Sequence, residues 1–123
     1  MLIGRILAES LRVGCDIQVP GLRIVRIARE DVAGSRAPQQ PAVWTLLDVE
    51  APDEAADELA EALAGSLADG QGWYADFRVG TDHVIVYPGR VFHYTVGDHA
   101  GRDAAVQYGR LNGVPEHQLD WGE

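Results

Sequence analysis

Residues 72–96 read GWYADFRVGTDHVIVYPGRVFHYTV. This stretch holds six of the nine aromatic residues of the chain, so an aromatic core or an aromatic surface has to be built here. Three runs, 73–79, 83–87 and 91–96, are rich in aromatic and β-branched side chains, which suit a pleated surface. Gly80-Thr81 separates the first two. Pro88-Gly89 separates the last two, with Pro presetting φ at the first corner and Gly accepting a positive φ at the second. The stretch reads as two successive hairpins.

Register then decides the chemistry, because side chains alternate across a strand. With two-residue loops, Val86 opposes Val91, Ile85 opposes Phe92, Val84 opposes His93 and His83 opposes Tyr94. Phe77 likewise opposes Val84, and Ala75 opposes Val86. One face becomes Trp73, Ala75, Phe77, Val84, Val86 and Val91, a core face. The other carries Tyr74, Asp76, Arg78 and His83, then Ile85, Tyr87, Phe92 and Tyr94, a mixture of rings and ionisable groups. A three-residue first loop, Gly80-Thr81-Asp82, would break this sorting.

Downstream, Asp98 is placed to cap a helix over 99–112 with Ala104, Ala105, Tyr108 and Leu111 as its packing face. Gly109 allows that helix to approach the sheet closely, and Trp121 is placed to fold back as an anchor. Upstream, 43–50 reads as a strand. Pro52 and the acids after it open a helix running to Gly70, with Leu59, Leu63 and Leu67 on one stripe. Residues 22–29 read as a further strand. The polar segment 30–41 reads as a mobile loop, and 2–11 fits either a strand or a short helix. The strand–helix–strand run 43–79 reads as a crossover unit. The expected class is α+β: one domain over 1–123, a mostly antiparallel sheet of about five strands, and both helices on one face, akin to a ferredoxin-like sandwich.

The net charge is −9, and all ten basic residues are arginine. With no lysine, Schiff-base chemistry and lysine nucleophiles are excluded. Residues 48–70 carry eight acids and no base, which reads as a solvated helix face. No basic stripe interleaved with aromatics occurs, so nucleic-acid binding is not expected. No run approaches the roughly 20 apolar residues of a membrane helix, so no membrane partner is expected. Arg5, Glu9 and Arg12 spoil the opening segment as a signal core, and a cytoplasmic protein is expected. Cys15 is the only cysteine, so no internal disulfide and no cysteine-cluster metal site can form.

Several stretches carry a resemblance: Ala8-Glu9-Ser10-Leu11, Gly72-Trp73-Tyr74-Ala75-Asp76-Phe77, Gly89-Arg90-Val91-Phe92, and Tyr108-Gly109-Arg110 through Val114-Pro115-Glu116-His117-Gln118-Leu119-Asp120. In these the chain resembles a widespread family of short bacterial proteins of unknown function. The resemblance implies a stand-alone domain and no site residues.

The four histidines, His83, His93, His99 and His117, match no familiar metal-ligand spacing, and no metal site is expected. No phosphate loop, dinucleotide fingerprint or nucleophile elbow is present, so no cofactor is expected. The candidate residues are therefore Tyr74, Asp76, Arg78, His83, Tyr87, Phe92 and Tyr94 on the ring-bearing face. Two functions fit them. The first is a non-catalytic assembly module, in which Tyr74, Ile85, Tyr87, Phe92 and Tyr94 meet a second copy or a protein partner. The second is a small metabolite-binding protein or acid–base enzyme, with a pocket around Asp76, His83 and Tyr94 under the 30–41 loop. The absence of lysine and of any reaction motif favours the first.

Overall fold

The computed structural model describes residues 1–121 of the 123. Six strands and two helices follow in chain order: β1 (Leu2–Leu7), β2 (Arg23–Asp31), β3 (Val43–Ala51), α1 (Ala56–Ala64), β4 (Ala75–Val79), β5 (Asp82–Tyr87), β6 (Arg90–Thr95) and α2 (His99–Leu111). The strands form one open antiparallel sheet in the order β2-β3-β1-β4-β5-β6. No helix among the described residues is long and apolar enough to cross a membrane.

The two hairpins have the expected register, residue for residue, from Ala75↔Val86 and Phe77↔Val84 through His83↔Tyr94 and Val86↔Val91. Their turns explain why. Gly80 and Gly89 both hold positive φ, at the first corner of one turn and the second corner of the other, which confines each loop to two residues.

The placement of the helices differs from expectation. They cover opposite faces. Leu59, Ala60 and Leu63 of α1 pack with Ala75, Phe77, Val84 and Val86. Ala105 and Val106 of α2 pack with Ile85, Tyr87 and Tyr94. The reason lies in β5, which is buried on both sides from His83 to Tyr87; a strand apolar in both directions needs cover in both directions. The one-face layering that suggested a ferredoxin-like sandwich does not hold.

The sixth strand comes from the ambiguous opening segment. β1 sits in the middle of the sheet, between β3 and β4. Both neighbours run antiparallel to it and hence parallel to each other, so α1 crosses over β1 rather than joining adjacent strands. Leu2 and Ile6 point into the α1 core. Between them, Gly4 lies opposite Phe77 at a separation no side chain can share: a Cβ on Gly4 would stand 2.5 Å from the Phe77 Cβ.

Both helices differ in detail from their sequence patterns. After a 3₁₀ turn at Asp53–Ala55, α1 closes at Gly65 instead of Gly70. Leu67 still reaches the core, through a bridge to Leu11. Asp98 caps α2 as expected, accepting the Gly101 N–H at 3.2 Å. The packing face of α2 is turned by a residue: Ala105, Val106 and Gly109 are buried, while Ala104 and Leu111 face solvent. Gly109 makes this seat possible, because a Cβ there would lie 2.6 Å from the Tyr87 hydroxyl.

At its outer edge β2 bulges between Ile24 and Arg26. Composition suggests mobility for the loop that follows it, but the loop is tied down by its own polar groups. The Arg36 guanidinium donates to the carbonyls of Pro38 (3.0 Å) and Gln40 (2.8 Å). The buried Gln40 amide accepts from the Ala37 N–H and donates to the Gln71 carbonyl, both at 2.9 Å.

One ionisable group helps end β1. Its last pair is Leu7↔Leu46. Beyond it Glu9 supplies the missing partner, its carboxylate accepting the Thr45 backbone N–H at 2.6 Å and the Thr45 hydroxyl at 2.7 Å. Burial pushes the Glu9 carboxyl up, but the two bonds from Thr45 outweigh it and hold the group below its ordinary 4.5. A depressed carboxyl contributes stability that is complete above the ordinary pKa and is lost as pH falls through the folded one. Glu9→Gln is therefore expected to cost about 1–2 kcal/mol in urea unfolding at neutral pH. That gap should narrow as pH falls below the ordinary 4.5 and through the lowered folded-state pKa, where the wild-type carboxyl becomes protonated too. A gap of equal size in acid would show that charge plays no part.

Candidate ligand site

The ring-bearing face does not meet solvent as a docking surface. Tyr87 and Ile85 are fully buried, and Tyr94 nearly so, beneath α2 and the residues that follow it. Tyr87 packs against Tyr74, Phe92 and Tyr108, with ring centres 5.0–6.2 Å apart, and donates its hydroxyl to the Ala105 carbonyl at 2.7 Å. Arg90 lies over the Phe92 ring at 4.8 Å. Tyr87 and Phe92 are thus packing residues of the second core.

The other candidates divide between the core and an opening. Tyr74 is half-buried; it donates to the Gln118 carbonyl at 2.8 Å and meets the edge of Trp121. Burial, reinforced by the charge of Asp76, pushes the Tyr74 phenol well above its ordinary value and keeps it neutral. His83 is fully buried. Its Nε2 lies 2.7 Å from Asp76 Oδ2 and its Nδ1 lies 3.0 Å from the Tyr94 hydroxyl. Trp121 folds back, as expected, edge-on to His83 at 5.9 Å. Arg78, on the same strand, is exposed, opposite Ile3 on β1 and His83 on β5. So Asp76, His83 and Tyr94 form one line running from the surface inward. Asp76 is the end that meets solvent, with 35% of its side chain exposed.

Asp76 and Tyr74 open into a hollow of about 350 Å³ on the part of this face that α2 leaves uncovered. Leu7, Leu46 and Ala75 give it apolar lining from the sheet, and Val32 and Ser35 border it from the loop. Trp44 and Trp73 stand beside Tyr74, the two indoles edge to face at 5.6 Å. Arg5, Glu30 and Asp76 supply the charged groups. The border is fastened: the Ser35 carbonyl accepts from both His117 and Gln118, and Gln118 itself lines the hollow.

Arg5 is committed within this arrangement. Its Nε and Nη2 reach the two Asp48 oxygens at 2.7 and 3.4 Å, and Arg26 reaches the same carboxylate at 3.2 Å. The Arg5 hydrogen bond, more than the partial burial that opposes it, holds the Asp48 carboxyl below its ordinary value. Among the described residues no three His, Cys, Asp or Glu side chains converge as metal ligands would.

The sequence pattern points to Tyr74, Asp76, His83 and Tyr94. It gives no hint of Arg5, Glu30, Trp44 or Leu46, because these reach the hollow through the order of strands. Chemically, the site offers an apolar chamber with aromatic walls and one carboxylate oriented from behind by a buried imidazole. No family model matches the chain, and neither a curated protein nor a solved structure matches it.

Proposed function

We propose that this chain is a small-molecule-binding domain whose ligand sits in the hollow beside Asp76. One observation carries the reading: an apolar, aromatic-walled chamber of ligand size converges on a carboxylate held in place by a buried partner. Small-molecule sites are mostly apolar, begin at roughly 300 Å³, and take their orientation from a few placed polar groups. The hydrogen bond from His83 fixes the Asp76 carboxylate before any ligand arrives, so less ordering cost remains to be met on binding. The reading also accounts for the fastened border, since Arg36, Gln40, His117 and Gln118 all hold the segment that frames the opening.

Thermal unfolding against a broad set of metabolites tests this. A true ligand present at about 100 times its Kd stabilises the fold by about 2.7 kcal/mol, a shift of several degrees. Val32→Trp, which enlarges a half-buried side chain at the border, should abolish that shift while leaving the ligand-free melting point close to wild type. If no compound moves the wild-type transition, or if the filled variant responds as wild type does, the hollow is not a binding site.

A second reading is favoured by the relay behind the carboxylate. His83 bridges Asp76 and the Tyr94 hydroxyl, which sets Asp76, a general-base type of side chain, at the open end of a hydrogen-bonded chain that faces a bound molecule. Conversion of a bound compound, lost in Asp76→Asn while binding persists, would distinguish such an enzyme from a carrier.

A further inference from the structure

We infer that the hollow selects a small organic cation, an amine or guanidine carried on a flat or apolar body. This rests on the binding-site reading above and specifies its ligand.

The charge at the hollow has one sign left over. Asp76 and Glu30 both line it, and Arg5 is the only cation among the described lining residues. Arg5 already spends two nitrogens on Asp48, which Arg26 also holds. Arg5 and Arg26 thus share Asp48, and the carboxylates that face the hollow are Asp76 and Glu30. Glu30 and Asp76, whose charges act on the Arg5 guanidinium, would repel an anion entering the hollow. An incoming ammonium meets Asp76 directly. The walls suit the same ligand, because the rings of Trp44 and Tyr74 favour a cation near them. The chain as a whole, at −9, adds a field that draws cations and repels anions.

The test uses the full chain and three probes that share one ring: tyramine as the cation, 4-ethylphenol as the neutral form and 3-(4-hydroxyphenyl)propionate as the anion. Binding is read by quenching of the intrinsic tryptophan fluorescence and by calorimetry. Tyramine should bind at least about tenfold more tightly than 4-ethylphenol, the worth of one charge-assisted contact, and the anion should bind weakest. Asp76→Asn should erase most of that preference while keeping the neutral probe. Glu30→Gln, at an exposed position where folding is not at risk, should reduce it in part, and added salt should do the same. Equal or tighter binding of the neutral or anionic probe overturns the inference, as does a preference unchanged in both variants. In those cases, binding that Val32→Trp abolishes leaves the hollow standing as a site. Failure of all three probes also overturns the cation assignment, and the metabolite screen then decides whether the hollow binds anything.

Discussion

Phe77→Ala is expected to lower the stability of the domain by about 3–5 kcal/mol. The side chain is 2% exposed and lies in the core under α1, flanked across the strands by Gly4 and Val84. The cost sits at the upper end for a structural reason. A void is cheap when a neighbour can move into it, but position 4 has no side chain to move. Nor can one be supplied, since a Cβ on Gly4 would meet the Cβ of residue 77, which alanine retains, and the Asp76 carbonyl oxygen at 3.0 Å. Chemical denaturation should show a lower midpoint with an unchanged slope. A loss under about 1 kcal/mol would mean that the site collapses and that the tight pairing with Gly4 is not rigid.

Tyr87→Ala is expected to cost about as much, roughly 3–5 kcal/mol by analogy with other buried rings, but on the opposite side of the sheet. Tyr87 is fully buried, touches three other aromatic rings and donates to the Ala105 carbonyl. Its removal takes away the surface on which Gly109 seats α2. The consequence should be local as well as global. Amide exchange in α2 should accelerate beyond what the drop in overall stability accounts for, while α1, packed on the other face, follows the global value alone. Equal acceleration in both helices would mean that the two cores open as one.

The two substitutions also mark which parts of this molecule are legible in its sequence. The hairpin register and the sorting of side chains follow from Pro88-Gly89, Gly80-Thr81 and strict alternation, which are local properties. The side on which a helix packs is not local. The amphipathic pattern of α2 identifies a buried stripe without saying which face of the sheet receives it. The available signal is the run from Val84 to Tyr87, apolar at successive positions and so in need of cover above and below. β1 is obscured by its own packing, since the glycine that makes room for Phe77 interrupts the alternation between Leu2 and Ile6. Half of the hollow is hidden for a third reason. Arg5, Glu30 and Trp44 lie far along the chain from Asp76, and only the strand order β2-β3-β1-β4 brings them beside it. The loop over 30–41 looks mobile by composition because composition does not reveal that Arg36 and Gln40 bond to backbone carbonyls.

The central position of β1 sets the timetable of assembly. During synthesis this segment leaves the ribosome before every strand it will touch. Leu2 has to wait for Ala51, and Ile3 for Arg78. The β4-β5-β6 ribbon can close from neighbouring residues as soon as it is made, whereas the middle of the sheet closes only by recruiting a segment made well before its partners, with the loop-closure cost that such distant pairing carries. Until then β1 keeps at least one edge unpaired, which makes the interval before β4 appears the one in which a half-made molecule is most open to chaperone capture or misassociation.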